Sequence, residues 1–208
     1  TPVEGDGRLM VTLRWESDGV VLGVRVQPLP EAAPAVPGCG AAFALARRGE
    51  HIAHVARDLR EEPARARALL ESLDLGDLPL SGDFEVEITA TARALELIDT
   101  LQARPDLRLV WEGPRVSVGA TVNAEALSLR VSSGRDWFGI TGELAVGRKR
   151  VALSSLLQAA AKGHRYVEIG KGQWVALSEH LRSTLAAAAH TGGSDTAEPK
   201  LSLLHAPI

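Results

Sequence analysis

The side chains best suited to bind a ligand are cations in the second half of the chain. Arg148-Lys149-Arg150 occupies the tip of a predicted hairpin, and other cations lie near the ends of neighbouring predicted elements. A cation at such an exposed position can contact a phosphate without reading base sequence. The alternative is that these are ordinary solvated cations of surface hairpins. The candidate nucleic-acid contacts are Arg148, Lys149, Arg150, Lys162, Arg165 and Lys171, with His164 beside them.

The charge distribution gives this reading limited support. Residues 1–129 contain 13 basic and 20 acidic side chains, a net charge of −7, whereas residues 130–182 contain 9 basic and 4 acidic, a net charge of +5. A basic region in an otherwise acidic protein is typical of a surface that contacts a polyanion. A charge of +5 is also compatible with ordinary surface composition, so the pattern does not identify the partner.

Motifs for catalysis or for binding a cofactor are absent from the sequence. The glycine-rich stretch Ile169-Gly170-Lys171-Gly172 lacks the Ser or Thr that follows lysine in a phosphate loop and meets the magnesium ion. It lies between two predicted strands, so a hairpin turn explains it. No Gly-x-Ser-x-Gly elbow offers a seat for a hydrolase nucleophile. We therefore predict no catalytic residue and no cofactor site in this chain.

The residues that bind metals elsewhere also lack the required spacing here. His51 and His54 are three apart on a predicted strand, which points them to opposite faces. Cys39 is the single cysteine, so no internal disulfide can form, and this composition fits a reducing cytoplasm. Glu85, Glu87 and Glu96 follow alternating or helical spacing, as residues on solvated faces do. We predict no metal site.

The first half of the chain predicts hairpins with helices between them. Alternation of apolar and polar residues predicts strands over 8–15 and 20–26, joined at Ser17-Asp18-Gly19. Asp58 and Glu61 have the spacing of a helix capping box, but Pro63 could equally be the first helical residue. The other predicted strands cover 41–47, 51–55, 84–88, 107–111 and 115–122, with helices from near Asp58 to near Leu73 and over 90–103.

The second half contains two copies of one small unit. Val-Ala-Leu-Ser occurs at 151–154 and again at 175–178, and each copy predicts strand, glycine turn, strand, serine and helix. Gly142 and Gly172 are the predicted turns, and Ser154 and Ser178 the predicted helix caps. We expect the two helices to pack together or on a shared sheet. The predicted buried stripes are Leu153, Leu156, Leu157 and Ala160 in one helix, and Leu177, Leu181, Leu185 and Ala188 in the other.

The stretch Asp136-Trp137-Phe138 before the first copy has two readings. Aromatic faces stack on bases, so the pair could form a ligand platform. Successive strand residues face opposite ways, so burial of one ring in the core explains the pair as well. Asp136 would then cap the preceding turn or pair with Arg135 or a nearby arginine. Core packing is the reading that the residue types favour.

The overall prediction is an α+β fold of antiparallel β-hairpins with interspersed helices, including the tandem hairpin-helix unit. We divide the chain into 1–121, 122–190 and a linker over 191–208, in which residues 191–200 are rich in Gly, Ser, Thr and acidic residues and residues 201–208 are mostly apolar. Apolar residues make up 45% of 208 residues, which indicates a globular protein, and no run approaches the ~20 apolar residues of a membrane helix. The chain shows no signal-peptide pattern and lacks an initiator Met, so we expect an excised, cytoplasmic part of a longer protein.

The run 129–143, Leu-Arg-Val-Ser-Ser-Gly-Arg-Asp-Trp-Phe-Gly-Ile-Thr-Gly-Glu, resembles a bacterial helicase-associated region. That region precedes the motor of bacterial Swi/Snf-type ATPases, which are superfamily-two translocases. The Val-x-Leu-x-x-Leu-Leu pattern, the Val-x-Ile-Gly-x-Gly-x-Trp-Val-x-Leu turn and the tail Leu203-Leu204-His205-Ala206-Pro207 are similar too. A weaker likeness lies in Pro37-Gly38 and in Val55 to Leu59. The resemblance extends over most of the chain and is firm from about residue 127.

The resemblance implies a function for the chain. It would be a non-catalytic accessory region, N-terminal to the motor of an ATP-dependent DNA helicase or translocase. ATP and magnesium would belong to that downstream motor, which is the expected partner together with duplex DNA. A protein-interaction module that docks a partner on exposed edge strands, with no nucleic-acid role, is the alternative. An enzyme of unrecognised type is a third reading.

Overall fold

A computed structural model describes residues 8–48, 50–133, 137–191 and 200–202. Its contacts divide the chain into two compact units, Thr1–Arg115 and Val116–Ile208. Within these described ranges, antiparallel hairpins make up most strand pairs and four helices lie between them, so the predicted α+β fold class is confirmed. The division falls earlier than the predicted boundary at 121/122, because the strand over Ser117–Val122 pairs with a strand of the second unit.

In the part of the first unit that the structure describes, a four-stranded sheet is accompanied by two helices and a separate two-stranded hairpin. Its elements are β1 (Arg8–Glu16), β2 (Gly19–Gln27), β3 (Phe43–Arg48), β4 (His51–Ala56), α1 (Glu61–Ser72), β5 (Glu85–Ile88), α2 (Thr91–Gln102) and β6 (Arg108–Trp111). The sheet order is β5-β2-β1-β6, in which β1 and β6 run parallel, and β3 pairs only with β4 within the described residues. Each predicted element of this half is therefore present, with ends shifted by a few residues.

In the core of the first unit, the apolar residues of the sheet pack against the apolar stripes of the two helices. Val11, Leu13 and Leu22 point inward from β1 and β2 and are fully buried, as alternation requires. The helices place one apolar stripe each against them. The helix residues in this core are Ala66, Leu69 and Leu70 of α1 and Ala94, Leu97 and Leu101 of α2.

The start of α1 differs from both sequence alternatives. The helix begins at Glu61, and the Asp58 carboxylate accepts hydrogen bonds from the backbone N–H groups of Arg60 and Glu61, each at 3.1 Å. Pro63 is thus the third helical residue, where its missing N–H costs nothing because the first turn has no internal acceptor. Asp58 satisfies the helix terminus, as the sequence indicated, but from two residues before the N-cap position at Arg60.

A buried ion pair joins α1 to the end of the β3–β4 hairpin. Arg57 and Glu62 form two hydrogen bonds of 3.0 and 2.6 Å, and their side chains are only 4% and 5% exposed. Arg57 also donates to the carbonyl oxygens of Cys39 (2.8 Å), Ala41 and Val36. Glu62 accepts the backbone N–H of Gly38 at 2.9 Å. The proline-rich loop before β3 is therefore held by two charged side chains.

The described residues of the second unit form two small sheets and two helices. Its elements are β7 (Ser117–Val122), β8 (Leu127–Ser133), β9 (Trp137–Val146), β10 (Lys149–Ala152), α3 (Leu153–Ala161), β11 (Tyr166–Gly170), β12 (Gln173–Leu177), α4 (Glu179–Thr191) and β13 (Lys200–Ser202), with a short 3-10 turn at Ala124–Ala126. One sheet has the order β11-β12-β7, with β12 and β7 parallel. In the other, β9 pairs with β8, β10 and β13.

The tandem hairpin-helix unit is present, and its helices share one core. Leu156 of α3 and Leu181 and Leu185 of α4 are buried in the same cluster as Leu144 of β9 and Val167 of β11. Ala188, which the helical spacing also predicted to be buried, is exposed near the end of α4. One cluster contains the buried residues of both helices, so of the two expected arrangements the structure shows the one in which the helices pack together.

Two details of the first copy were predicted wrongly. Gly142 is not the turn but lies inside β9, where an added Cβ would come within 2.5 Å of the Ser128 carbonyl oxygen. The turn is at Gly147, whose φ of 59° favours glycine. Ser154 does not cap α3, because the helix begins at Leu153 and its N-cap position is Ala152. Ser178 does cap α4, since its hydroxyl accepts the backbone N–H of Leu181 at 3.3 Å.

Some predictions concern residues outside the described part of the chain. Arg135, Asp136 and the side chains of Trp137 and Phe138 are among them, so the platform and core readings of this stretch both stay predictions. Residues 192–199 and 203–208 are outside as well, which leaves most of the predicted linker untested. Between them, β13 pairs antiparallel with the first residues of β9.

The buried ion pair predicts a large effect of removing one partner. Arg57→Met would leave the Glu62 carboxylate buried without its counter-ion, and we expect the free energy of unfolding to fall by about 3–5 kcal/mol. The control Arg60→Met removes an exposed arginine nearby and should change it by less than about 0.5 kcal/mol. Urea denaturation followed by circular dichroism measures both. If Arg57→Met and Arg60→Met lower the free energy of unfolding equally, the buried ion pair does not contribute more to stability than an exposed arginine does.

The two serines of the repeated tetrapeptide provide a second, matched test. Ser178→Ala removes the hydroxyl that caps α4 and should cost about 1 kcal/mol of stability. Ser154→Ala changes an exposed residue in the first turn of α3, where alanine is the better helix former, so we expect stability to be unchanged or slightly higher. Thermal unfolding measures the stability of the two variants. A larger loss of stability for Ser154→Ala than for Ser178→Ala would contradict the assignment of Ser178 as the helix cap.

Candidate nucleic-acid interface

Three of the candidate cations lie at two adjoining hairpin turns. Arg148 is exposed in the β9–β10 turn, and Lys171 is exposed in the β11–β12 turn. Lys149, the first residue of β10, hydrogen-bonds through Nζ to Oε1 of Gln173, the first residue of β12. The Lys149 ammonium also lies where a side chain at Gly170 would be. The Lys149 side chain thus joins the two turns, and we call Arg148, Lys149 and Lys171 the tip group.

Arg150 does not belong with the tip group. Its guanidinium forms an ion pair with Glu143, its near neighbour across the β9–β10 ladder. Adjacent residues of a strand point to opposite faces, so Arg150 and Lys149 leave β10 on different sides. The Arg150 side chain is 70% exposed, but its charge is locally compensated. Sequence reasoning grouped 148–150 as one tip, whereas the strand separates the third residue from it.

The other candidates lie at the end of the β11–β12 hairpin that is opposite its turn. Lys162, His164 and Arg165 are exposed in the segment between α3 and β11. The Arg165 guanidinium lies over the Tyr166 ring, 5.4 Å from its centroid. Arg182 of α4 joins this end, donating to the Gly163 carbonyl oxygen at 3.3 Å. We call Lys162, His164 and Arg165 the end group.

The length of β11 separates the two groups. From Arg165 to Lys171 the extended chain covers roughly 20 Å, at about 3.3 Å per residue. Between them the Glu168 carboxylate accepts the backbone N–H of Gly172 at 3.0 Å, which places one negative charge beside the tip group. The candidate cations therefore form two surfaces and not one continuous patch, and the tip group is the one in which two separate turns converge.

The described residues also include the side chains that the sequence raised as metal ligands. Within them, no three His, Cys, Asp or Glu side chains are placed to hold a metal ion. His51 and His54 are both on β4, where alternation puts them on opposite faces, and Cys39 is an exposed free thiol in the loop before β3. The Arg104 guanidinium donates to both oxygens of exposed Asp106, at 2.9 and 2.8 Å, and lowers the pKa of that carboxyl. This pair closes the turn after α2, which is a structural role.

Comparison with known proteins does not indicate a function for the chain. No family model, curated protein or solved structure matches the chain. Across the described part of the chain, none of the helices is both long and apolar enough to cross a membrane.

Sequence reasoning missed the contact that joins the two turns. Lys149 and Gln173 are far apart in the chain, and neither residue type signals the other. Gly170 was interpreted as part of the turn, whereas it is the last residue of β11, and a glycine in a strand often marks a place that another group approaches closely. Here that group is the Lys149 ammonium.

The geometry predicts an order among single substitutions in polyanion binding. Arg148→Ala and Lys171→Ala should each lower the salt concentration at which the protein elutes from a heparin column. Arg150→Ala should lower it less, because Glu143 already compensates that charge. Glu143→Gln is the control. It removes the carboxylate that compensates Arg150, so the protein should elute at a higher salt concentration. If Arg150→Ala lowers the elution salt concentration as much as Arg148→Ala does, the ion pair with Glu143 does not weaken the contribution of Arg150 to binding.

Proposed function

We propose that this chain is a non-catalytic accessory module of a bacterial Swi/Snf-type ATP-dependent DNA translocase or helicase, and that its tip group contacts duplex DNA. The observation behind the DNA contact is the convergence of Arg148, Lys149 and Lys171 at two adjoining turns. The assignment to this class of motor rests on the resemblance of residues 129–143 and the segments after it. The module would regulate or position the downstream motor, which would bind ATP and magnesium.

The tip group suits contacts with the phosphate backbone. Turn residues project from the ends of their strands, so a long cationic side chain can reach a phosphate without burying the hairpin. Such contacts release counter-ions, and the logarithm of the binding constant falls with the logarithm of salt by about 0.9 per phosphate neutralised. Contacts of this kind give affinity without sequence preference, which fits a motor that moves along DNA.

Fluorescence anisotropy of a labelled duplex, titrated with the whole chain at two salt concentrations, tests the contact. The variant is Arg148→Ala with Lys171→Ala, which leaves the Lys149–Gln173 hydrogen bond intact. We expect weaker binding and a salt slope smaller by about 2, because each removed cation leaves one phosphate with its counter-ions. The control is Arg60→Ala with Arg115→Ala, which removes the same charge from exposed positions of the first unit.

Three results would contradict the proposal. Absence of binding at low salt would remove the DNA contact. Equal weakening by the control pair would show that only net charge matters. ATP hydrolysis by the purified chain would contradict its non-catalytic role, whatever the DNA result.

A further inference from the structure

A cavity lies in the first unit where β1 and β6 begin and β2 ends. Its volume of about 360 Å³ equals that of about twelve water molecules, at about 30 Å³ each. Small-molecule sites are concave, mostly apolar and about 300–1,000 Å³ in volume, with a few polar groups that orient the ligand. The cavity has this character, because most of the residues that line it are apolar. They are Leu9, Met10, Pro30, Pro105 and Leu107.

The strand register brings Gln27 and Arg108 together in the wall of this cavity. Gln27 ends β2 and Arg108 begins β6, and their partners on β1 are two residues apart, so both side chains leave the sheet on one face. Gln27 is 9% exposed, and its Nε2 donates to the carbonyl oxygens of Pro30 at 3.0 Å and Ala32 at 3.3 Å. These bonds turn Oε1 towards Arg108, whose Nη1 donates to it. A buried amide thus orients the guanidinium.

The bond to Gln27 orients the charge of Arg108 without compensating it, because an amide oxygen is a neutral acceptor. A guanidinium has five N–H donors, and this bond uses one of them. Asp106 is the acidic residue of the lining, and both of its carboxylate oxygens accept from Arg104, at 2.9 and 2.8 Å. Arg8 also lines the cavity but has an interaction of its own. The recognition of an anion is therefore assigned to Arg108 alone.

We propose that this cavity binds a small monocarboxylic acid, with its carboxylate on Arg108 and its apolar body against the apolar lining. The planar guanidinium matches a carboxylate and can donate two parallel hydrogen bonds to it. One oriented guanidinium suits a single negative charge. A more highly charged ligand would be opposed by the net charge of −7 on residues 1–129, whereas a carboxylate in direct contact with the guanidinium is affected less, because salt screens separated charges over about 10 Å.

Two acids of suitable size, 3-phenylpropionate and hexanoate, test the site when each is titrated into the whole chain and followed by two-dimensional amide NMR. We expect saturable shifts of the backbone amides around Gln27 and Arg108. Arg108→Gln should weaken binding at least about tenfold, because charge-assisted hydrogen bonds are lost. Arg108→Lys keeps a donor for Gln27 but lacks the planar fork, so its binding should be weaker as well. Arg60→Gln, at an exposed arginine elsewhere in the first unit, is the matched control and should leave binding unchanged.

Three further ligands separate the contributions of charge and of the apolar body. 3-Phenylpropanamide keeps the shape of the aromatic acid without its charge, and acetate keeps the charge without the body. Each should bind at least about tenfold more weakly than 3-phenylpropionate. Phenyl phosphate replaces the carboxylate by a phosphate and should bind more weakly too. Circular dichroism of each variant verifies that the substitution has not unfolded the protein.

Saturable binding of an acid with these responses supports the proposal. No saturable binding of either acid, equal binding of the amide or of acetate, or binding that survives both substitutions of Arg108 overturns it. Tighter binding of phenyl phosphate would assign the cavity to a phosphate ligand and overturn it as well. The DNA titration above concerns residues of the second unit, so the two proposals can fail independently.

Discussion

The buried ion pair between Arg57 and Glu62 is the interaction on which the order of the first unit depends. Arg57 directly follows β4, and Glu62 is in the first turn of α1, so the pair fixes the angle at which the hairpin leads into the helix. Its remaining hydrogen bonds hold the backbone at Val36, Gly38, Cys39 and Ala41. Buried pairs of this kind seldom add much stability relative to apolar residues of the same size. Here the pair also satisfies four backbone groups of the loop before β3, which ties that loop to the start of α1.

That geometry has a consequence for the hairpin beyond the pair. The loop before β3 contains several prolines and no regular element, yet its end is anchored by the Arg57 guanidinium, and the Arg57 backbone N–H donates to the Ala42 carbonyl oxygen at 2.8 Å. The hairpin is therefore positioned from its base and does not need a large inner core. Small residues such as Ala46 and Ala53 suffice on the inner face. The larger residues Phe43, Leu45 and Ile52 are exposed on the outer face.

The sequence predicted local structure well and non-local contacts poorly, for a physical reason. Period-2 alternation and glycine turns predict hairpins, because both strands and their connection lie within one short stretch. The parallel pairs β1–β6 and β7–β12 join strands far apart in the chain, and no local pattern indicates them. The same limit explains Gly142, whose close neighbour is the Ser128 carbonyl on another strand. It also explains the candidate site: the exposed cations were recognised by residue type, but their division into a tip group and an end group depends on register.

The repeat in the second unit connects packing with the candidate interface. Each copy buries its helix stripe against the other, so the hairpins themselves are held at their helix-proximal ends, near Val151, Val167 and Leu177. Their turns lie at the other ends, where Arg148 and Lys171 are exposed. Lys149 fills the space beside Gly170 and bonds to Gln173, and this hydrogen bond joins the two turns. Cationic side chains at such turns cost the fold little, because they neither leave water nor replace a core residue. The duplication thus yields two projecting turns at one end, a geometry that can present several cations to one polyanion.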